Sequence, residues 1–214
     1  MRVLVTGGAG FIGSHTCLLL LEKGYEIVVI DSLVNSSMKS LERVSQILKS
    51  NKKNKSIDIK IVKADIRDKK ILDELFFEYK KLGKPFEAVI HFAGLKSVKE
   101  SVIKPLEYWD TNVIGTSNLL KVMDKYDCKV FVFSSSATIY GYTGSTPIKE
   151  DQNVNPVNPY GKTKVAIENM LYDVCHSNKN SWKICSLRYF NPVGAHPSGL
   201  IGEDPIGIPN NLFP

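Results

Sequence analysis

Short apolar runs rich in β-branched residues alternate along the chain with longer stretches whose hydrophobic positions recur every three or four residues. The short runs fall near residues 2–6, 26–31, 57–63, 87–92, 129–134 and 183–189 and read as strands. The longer stretches predict helices over 11–23, 38–49, 69–81, 104–126 and 160–177. Pro105 suits the first turn of the fourth helix, where a missing N–H costs nothing. Because the strands are nearly continuous apolar runs, both of their faces are expected to be covered. This succession predicts the α/β class, with a doubly wound parallel sheet of the Rossmann type and about six strands. Asn191 to Pro214 breaks the pattern: it carries five of the 10 prolines and four of the 15 glycines, and reads as a loop leading out of the sheet.

Composition narrows the class. With 214 residues, 43% of them hydrophobic and 23% charged, the chain can bury a full core. No apolar run approaches the roughly 20 residues of a spanning helix, and Met1 to Thr6 lacks the features of a signal peptide. The net charge of +6 comes chiefly from lysine, and the four arginines are dispersed, so nucleic acid is not an expected partner. The densest basic stretch, Lys49 to Lys55, alternates with Asn and Ser like a solvated loop. Cys17, Cys128, Cys175 and Cys185 lack both metal and disulfide spacing and are expected to be reduced thiols of a cytoplasmic protein; no metal site is expected. His91 reads as a core histidine, and the run Leu18 to Leu21 as helix core.

Candidate chemistry begins between the first strand and the first helix. Gly7, Gly10 and Gly13 lie where a dinucleotide's pyrophosphate would meet backbone N–H groups and the positive end of a helix. The second strand ends at Asp31, eighteen positions after Gly13, close to the spacing of the carboxylate that binds an adenosine ribose. A carboxylate there repels a 2′-phosphate, so NAD is favoured over NADP. Farther on, Tyr160 and Lys164 share one helical face, and the fifth strand runs into Ser134-Ser135-Ser136 at the carboxyl end of the sheet. A phenol ordinarily titrates near pH 10; a neighbouring ammonium and a positive nicotinamide ring would both depress it, making Tyr160 a base for a hydroxyl proton. Ser136 would hold the same oxygen by a hydrogen bond.

The glycine turn, His91-Phe92-Ala93-Gly94, the serine-rich strand end and Tyr160-Gly161-Lys162-Thr163-Lys164 resemble the extended short-chain dehydrogenase/reductase superfamily. Within it the chain is most similar to the UDP-glucose 4-epimerases, through Phe92 to Val98, Ser134 to Gly141 and Arg188 to Gly199. The resemblance implies a UDP-hexose substrate oxidised transiently at C4, with tightly held NAD taking the hydride and returning it to the other face of a rotated 4-ketosugar. Tyr160, Lys164 and Ser136 would be catalytic. Phe11, Ile12, Asp31 and Asn35 would join the glycines at the adenosine and pyrophosphate, and Asp65 with Ile66 would contact adenine. Phe92, Ala93, Gly94 and Lys96 would line the cofactor farther along, with Phe190 at the nicotinamide. The pair Thr111-Asn112 would add one contact; Asn112 is carried as the cofactor position, with the orientation of the pair left open. Asn191, Asn210, Asn211 and Leu212 match positions that hold the UDP-sugar beside Ser136 and Tyr160.

Nucleotide-sugar 4,6-dehydratases place Asp-Glu where this chain has Ala137-Thr138, and without those carboxylates their elimination has no acid or base. The implied division is an NAD-binding domain over 1–190 and the beginning of a UDP-sugar-binding region over 191–214, in a chain that breaks off there. Such a chain is expected to bind NAD and to turn over weakly or not at all. A homodimer is implied by the resemblance alone. The competing readings are a non-catalytic NAD-binding module, which would need none of Tyr160, Lys164 and Ser136, and an epimerase of different sugar specificity.

Overall fold

The computed structural model describes residues 1–50, 59–144, 146–177 and 181–205. The elements follow in the order β1 (Arg2–Thr6), α1 (Phe11–Glu22), β2 (Glu26–Asp31), α2 (Met38–Ser50), β3 (Lys60–Lys63), α3 (Lys69–Lys81) and β4 (Ala88–His91). Then come α4 (Val98–Ile103), α5 (Pro105–Tyr108), a widened turn of π-helix (Trp109–Ile114), α6 (Gly115–Lys125) and β5 (Val130–Ser136). A 3₁₀ turn (Ala137–Tyr140), α7 (Pro159–Cys175) and β6 (Lys183–Tyr189) complete the order.

The strands form one sheet in the order β3-β2-β1-β4-β5-β6, with every pairing parallel. This is the doubly wound arrangement expected from the alternation of strand and helix. Alternate residues of each central strand serve opposite faces. Leu4, Val28 and Ile30 join Leu72, Phe76, Leu119, Met123, Ile167 and Leu171 of α3, α6 and α7 on one side. Val3, Val5, Ile27 and Val29 join Cys17, Leu18, Leu41 and Val44 of α1 and α2 on the other. The strand order reverses between β1 and β4, so the loops after these two strands diverge around a crevice at the carboxyl end of the sheet, where open α/β folds bind ligands.

The helix expected over 104–126 is divided: α5 passes through the π turn into α6, and α4 precedes it. The cause is Asn112, whose side chain bonds Leu95 N and Leu95 O while its carbonyl accepts the Thr116 hydroxyl, which competes with regular helical bonding. α4 carried a legible start signal, Ser97-x-x-Glu100, and Ser97 Oγ does accept Glu100 N at 3.2 Å. Leu18 and Leu21 are core, but Leu19 is exposed.

The segment after β6 does not simply lead away from the sheet. It turns back to α2, where Arg43 Nη1 donates to Leu200 O at 3.1 Å, and Ile201 is buried in the same cluster as Ala9 of the glycine turn. Burial of two consecutive apolar residues drives that return. The first positions of the strand expected over 57–63, and most of the basic stretch Lys49 to Lys55, lie outside the described residues.

The two-sided core sets different costs for one chemical change. Leu119→Ala, at a fully buried position of α6, is expected to lower unfolding free energy by about 2–5 kcal/mol. Leu19→Ala, at a position 56% exposed, should stay within about 0.5 kcal/mol in the same urea titrations.

Candidate active site

The glycine turn is built by close approaches that only a missing Cβ permits. Gly7 has φ +69°, and a Cβ there would stand 2.5 Å from Ala93 N in the loop after β4. A Cβ on Gly13 would meet Gly7 O at 2.3 Å, and one on Gly8 would meet Val29 at 2.7 Å. Gly10 differs: a Cβ would touch only Gly7 O, at 3.4 Å, and otherwise enters open space. Gly7, Gly8 and Gly13 therefore shape the turn, whereas Gly10 presents bare backbone at the start of α1.

Asp31 is buried beside this turn. Its Oδ2 accepts Ala9 N at 2.9 Å, and its Oδ1 accepts Leu33 N at 2.9 Å and Ser36 Oγ at 2.7 Å. Ser40 Oγ donates to Ala9 O at 2.7 Å, so the Ala9 peptide is held from both ends. Asn35 is exposed nearby. Asp65 is gripped by Arg67, whose hydrogen bonds hold the carboxyl below its usual range, and Ile66 packs into the space left by Gly115.

At the other end of the crevice, Ser136, Tyr160 and Lys164 are 8%, 8% and 5% exposed. Asn158 starts α7 by accepting Gly161 N at 2.8 Å, and Pro159 supplies the first helical residue. The absence of a side chain at Gly161 lets the helix approach Thr138 O to within 3.0 Å of where a Cβ would stand. Ser136 Oγ accepts Thr138 N at 3.2 Å and Thr138 Oγ1 at 2.9 Å, and Ser136 is near enough to the Tyr160 phenol to act against burial on that group's pKa. Two donors occupy the acceptor positions of Ser136 and leave its own proton for an acceptor in the crevice. Thr138 thus orients Ser136, a role that spacing did not disclose.

Lys164 Nζ donates to Ser134 O at 2.8 Å and sits 4.8 Å from the Phe133 ring centre and 5.7 Å from that of Tyr160. Burial lowers its pKa to about 8, opposed by the charge of Glu168. Tyr160 corrects an expectation. Burial raises its pKa, with the nearby Ser136 acting the other way, so the chain's own residues do not produce the depression expected of an ammonium neighbour. The physical reason is burial, which disfavours the charged phenolate.

A buried polar network supports the site from below. His91 bridges Thr6 Oγ1 at 2.6 Å and Thr116 Oγ1 at 2.9 Å. Asn112 Nδ2 donates to Thr163 Oγ1 at 3.1 Å, and Thr163 Oγ1 donates to Tyr160 O at 2.7 Å. Asn112 is the buried member of the pair left open above, and its side chain is spent on Leu95 and Thr163. Tyr108 is buried and meets the Tyr160 ring edge-on at 6.4 Å.

The remaining candidates lie around the rim. Phe11 and Ile12 open α1, and Phe92, Ala93 and Gly94 follow β4 opposite the glycine turn. Lys96 is engaged by Glu203 at 3.3 Å, which ties the returning segment to the loop after β4. Phe190 and Asn191 are exposed just past β6. Asn210, Asn211 and Leu212 lie outside the described residues.

A family model described as GDP-mannose 4,6 dehydratase matches residues 4–206. UDP-glucose 4-epimerase 2 of Arabidopsis thaliana is 54% identical over 212 residues, which are 99% of this chain and 58% of the plant protein. UDP-glucose 4-epimerase of Bacillus subtilis (strain 168) is 52% identical over 214 residues, 100% of this chain and 59% of the bacterial one. Among solved structures, UDP-glucose 4-epimerase from Bifidobacterium longum in complex with NAD+ and UDP superposes with a TM-score of 0.89 at 49% identity, covering 99% of this chain and 60% of that one. The enzyme from Stenotrophomonas maltophila, with bound NAD and formylated UDP-arabinopyranose, gives 0.89 at 44% identity, with coverages of 99% and 59%. This chain therefore spans less than two thirds of the length of the relatives it matches.

The buried histidine has a measurable signature. Burial, reinforced by Lys164, depresses the His91 pKa from 6.5 to about 3, so the folded protein holds the ring neutral. Its contribution to stability is complete above pH 6.5 and is lost as pH falls toward 3, at up to about 1.4 kcal/mol per pH unit. His91→Gln should flatten the fall in unfolding free energy between these limits.

Proposed function

The chain belongs to the GDP-mannose 4,6 dehydratase family, and we propose that it is the NAD-binding, proton-transferring part of a UDP-glucose 4-epimerase, which interconverts UDP-galactose and UDP-glucose. The observation that carries this reading is the burial of Ser136, oriented by Thr138, together with Tyr160 and Lys164 at the carboxyl end of the sheet that also carries the glycine turn. A dehydratase needs carboxylates at positions 137 and 138. This chain has Ala137 and Thr138, and Thr138 is committed to Ser136.

The residues fit NAD. Open space above Gly10 admits a pyrophosphate to the N-terminus of α1, and Asp31, fixed by Ala9 N, Leu33 N and Ser36, stands where a ribose diol would bind. Bound there, the oxidised nicotinamide supplies the acceptor, and afterwards the donor, of a hydride. Tyr160 takes the proton of the sugar 4-hydroxyl and returns it, while Ser136 holds the same oxygen. Lys164 places a positive charge behind the phenol and favours its ionised form once a positive ring adds to it. Burial keeps water from the transferred proton.

Asn191, with Asn210, Asn211 and Leu212, would contact the UDP-hexose in this reading, and residues 1–190 form the NAD-binding domain. The protein acts in the cytoplasm in galactose metabolism, as a homodimer.

Two experiments test the assignment. Gly10→Val should fold within about 1 kcal/mol of the unaltered chain yet lose NAD binding at least tenfold by calorimetry, because its side chain enters open space rather than packed backbone. Retained NAD affinity in that variant contradicts the cradle. In protein carrying the remaining length that its relatives have, Tyr160→Phe should slow interconversion about 10²- to 10⁴-fold while NAD stays bound. Turnover near the unaltered rate contradicts the proton-transfer role.

A further inference from the structure

We propose that Glu168 is a positioning residue for the Tyr160–Lys164 pair: braced by Arg188, it locks α7 to β5 and keeps the Lys164 side chain an ammonium. The inference rests on the function proposed above, since that function is what gives Lys164 its purpose.

α7 grips β5 at two consecutive residues, one helical turn apart on the helix. Lys164 Nζ holds Ser134 O, and Glu168 Oε1 accepts the Ser135 hydroxyl. Glu168 is itself clamped by the Arg188 guanidinium, with Nε to Oε1 at 3.1 Å and Nη2 to Oε2 at 2.8 Å. This two-point fork fixes direction as well as charge. Arg188 Nη1 donates in turn to Tyr140 Oη and Glu150 O, each at 2.7 Å. One carboxylate therefore ties α7 to the end of β5 and, through Arg188, to β6 and to the turn that follows Ser136. The side chains of Arg188 and Glu168 are only 24% and 15% exposed, so solvent screens the pair weakly.

The groups facing Lys164 come from three elements. α7 contributes Tyr160 and Glu168; β5 contributes the Phe133 ring and the Ser134 carbonyl; β4 contributes His91, held neutral by burial. Arg188 of β6 stands behind Glu168 and tempers its charge. Glu168 is the group whose negative charge opposes the effect of burial on Lys164. An uncharged residue in its place leaves the buried ammonium with a carbonyl and two ring faces, and the proton departs at lower pH.

The test is a pH titration of Lys164 in the 214-residue chain without cofactor or sugar. It is followed by nuclear magnetic resonance of labelled lysine side chains and assigned with Lys164→Met. Glu168→Gln is expected to lower the Lys164 midpoint by about one pH unit or more, while Arg188→Met, which unmasks the carboxylate, raises it. A residue acting only as a structural brace would not move the midpoint in opposite directions. A midpoint unmoved in folded Glu168→Gln overturns the proposal. If that variant fails to fold, Arg188→Met decides: a rise supports the proposal, and no change or a fall overturns it. Absence of NAD binding by the unaltered chain would sink the functional reading instead and leave this titration result standing.

Discussion

The ammonium of Lys164 is buried at the carboxyl end of β5, and an isolated charge in such a place costs many kcal/mol unless it is compensated. Compensation comes from the Ser134 carbonyl, the faces of Phe133 and Tyr160, and the negative charge of Glu168. Cation–ring contacts contribute about 0.5–2 kcal/mol each, so the carbonyl and the carboxylate carry most of the burden. Meeting these demands fixes where α7 lies on the sheet. Tyr160, one turn earlier on the same helix, is thereby placed against Ser136.

The rest of the fold converges on that placement. Parallel strands bring every strand's carboxyl end to one side, and the reversal of strand order between β1 and β4 opens a crevice there. Gly7 and Gly13 bring the turn after β1 into contact with itself and with the loop after β4, leaving Gly10 bare. Beneath the crevice, Asn112 interrupts its own helix to bond Leu95 and Thr163, joining the loop that follows β4 to the first turn of α7. Turns of π-helix cost regular hydrogen bonding and are often found at functional sites. This one supports the loop from Phe92 to Lys96.

The strands, the glycine turn, Asp31 and the Tyr160–Lys164 pair were legible because each depends on local order: period, spacing and residue type. The division of the helix around Asn112 was not, because its cause is a side-chain bond to Leu95, seventeen residues away. The bridge from Arg188 to Glu168 spans twenty residues and two element types, and nothing in the periodicity of either element announces it. The return of residues 195–203 to α2 was masked by their proline and glycine content. The apolar pair Leu200-Ile201 was the available signal, and its burial beside Ala9 is a tertiary choice. The raised pKa of Tyr160 was not legible because sequence spacing places an ammonium near a phenol without showing how deeply the phenol is buried.

The central claim is that one crevice holds a dinucleotide with its pyrophosphate over Gly10 and its nicotinamide beside Tyr160. A crystal structure of the chain grown with NAD measures this most directly. The account predicts a ribose diol on Asp31 and the nicotinamide ring within contact of the Tyr160 phenol. A dinucleotide bound in the reverse direction, or with its nicotinamide remote from Tyr160 and Lys164, would contradict it.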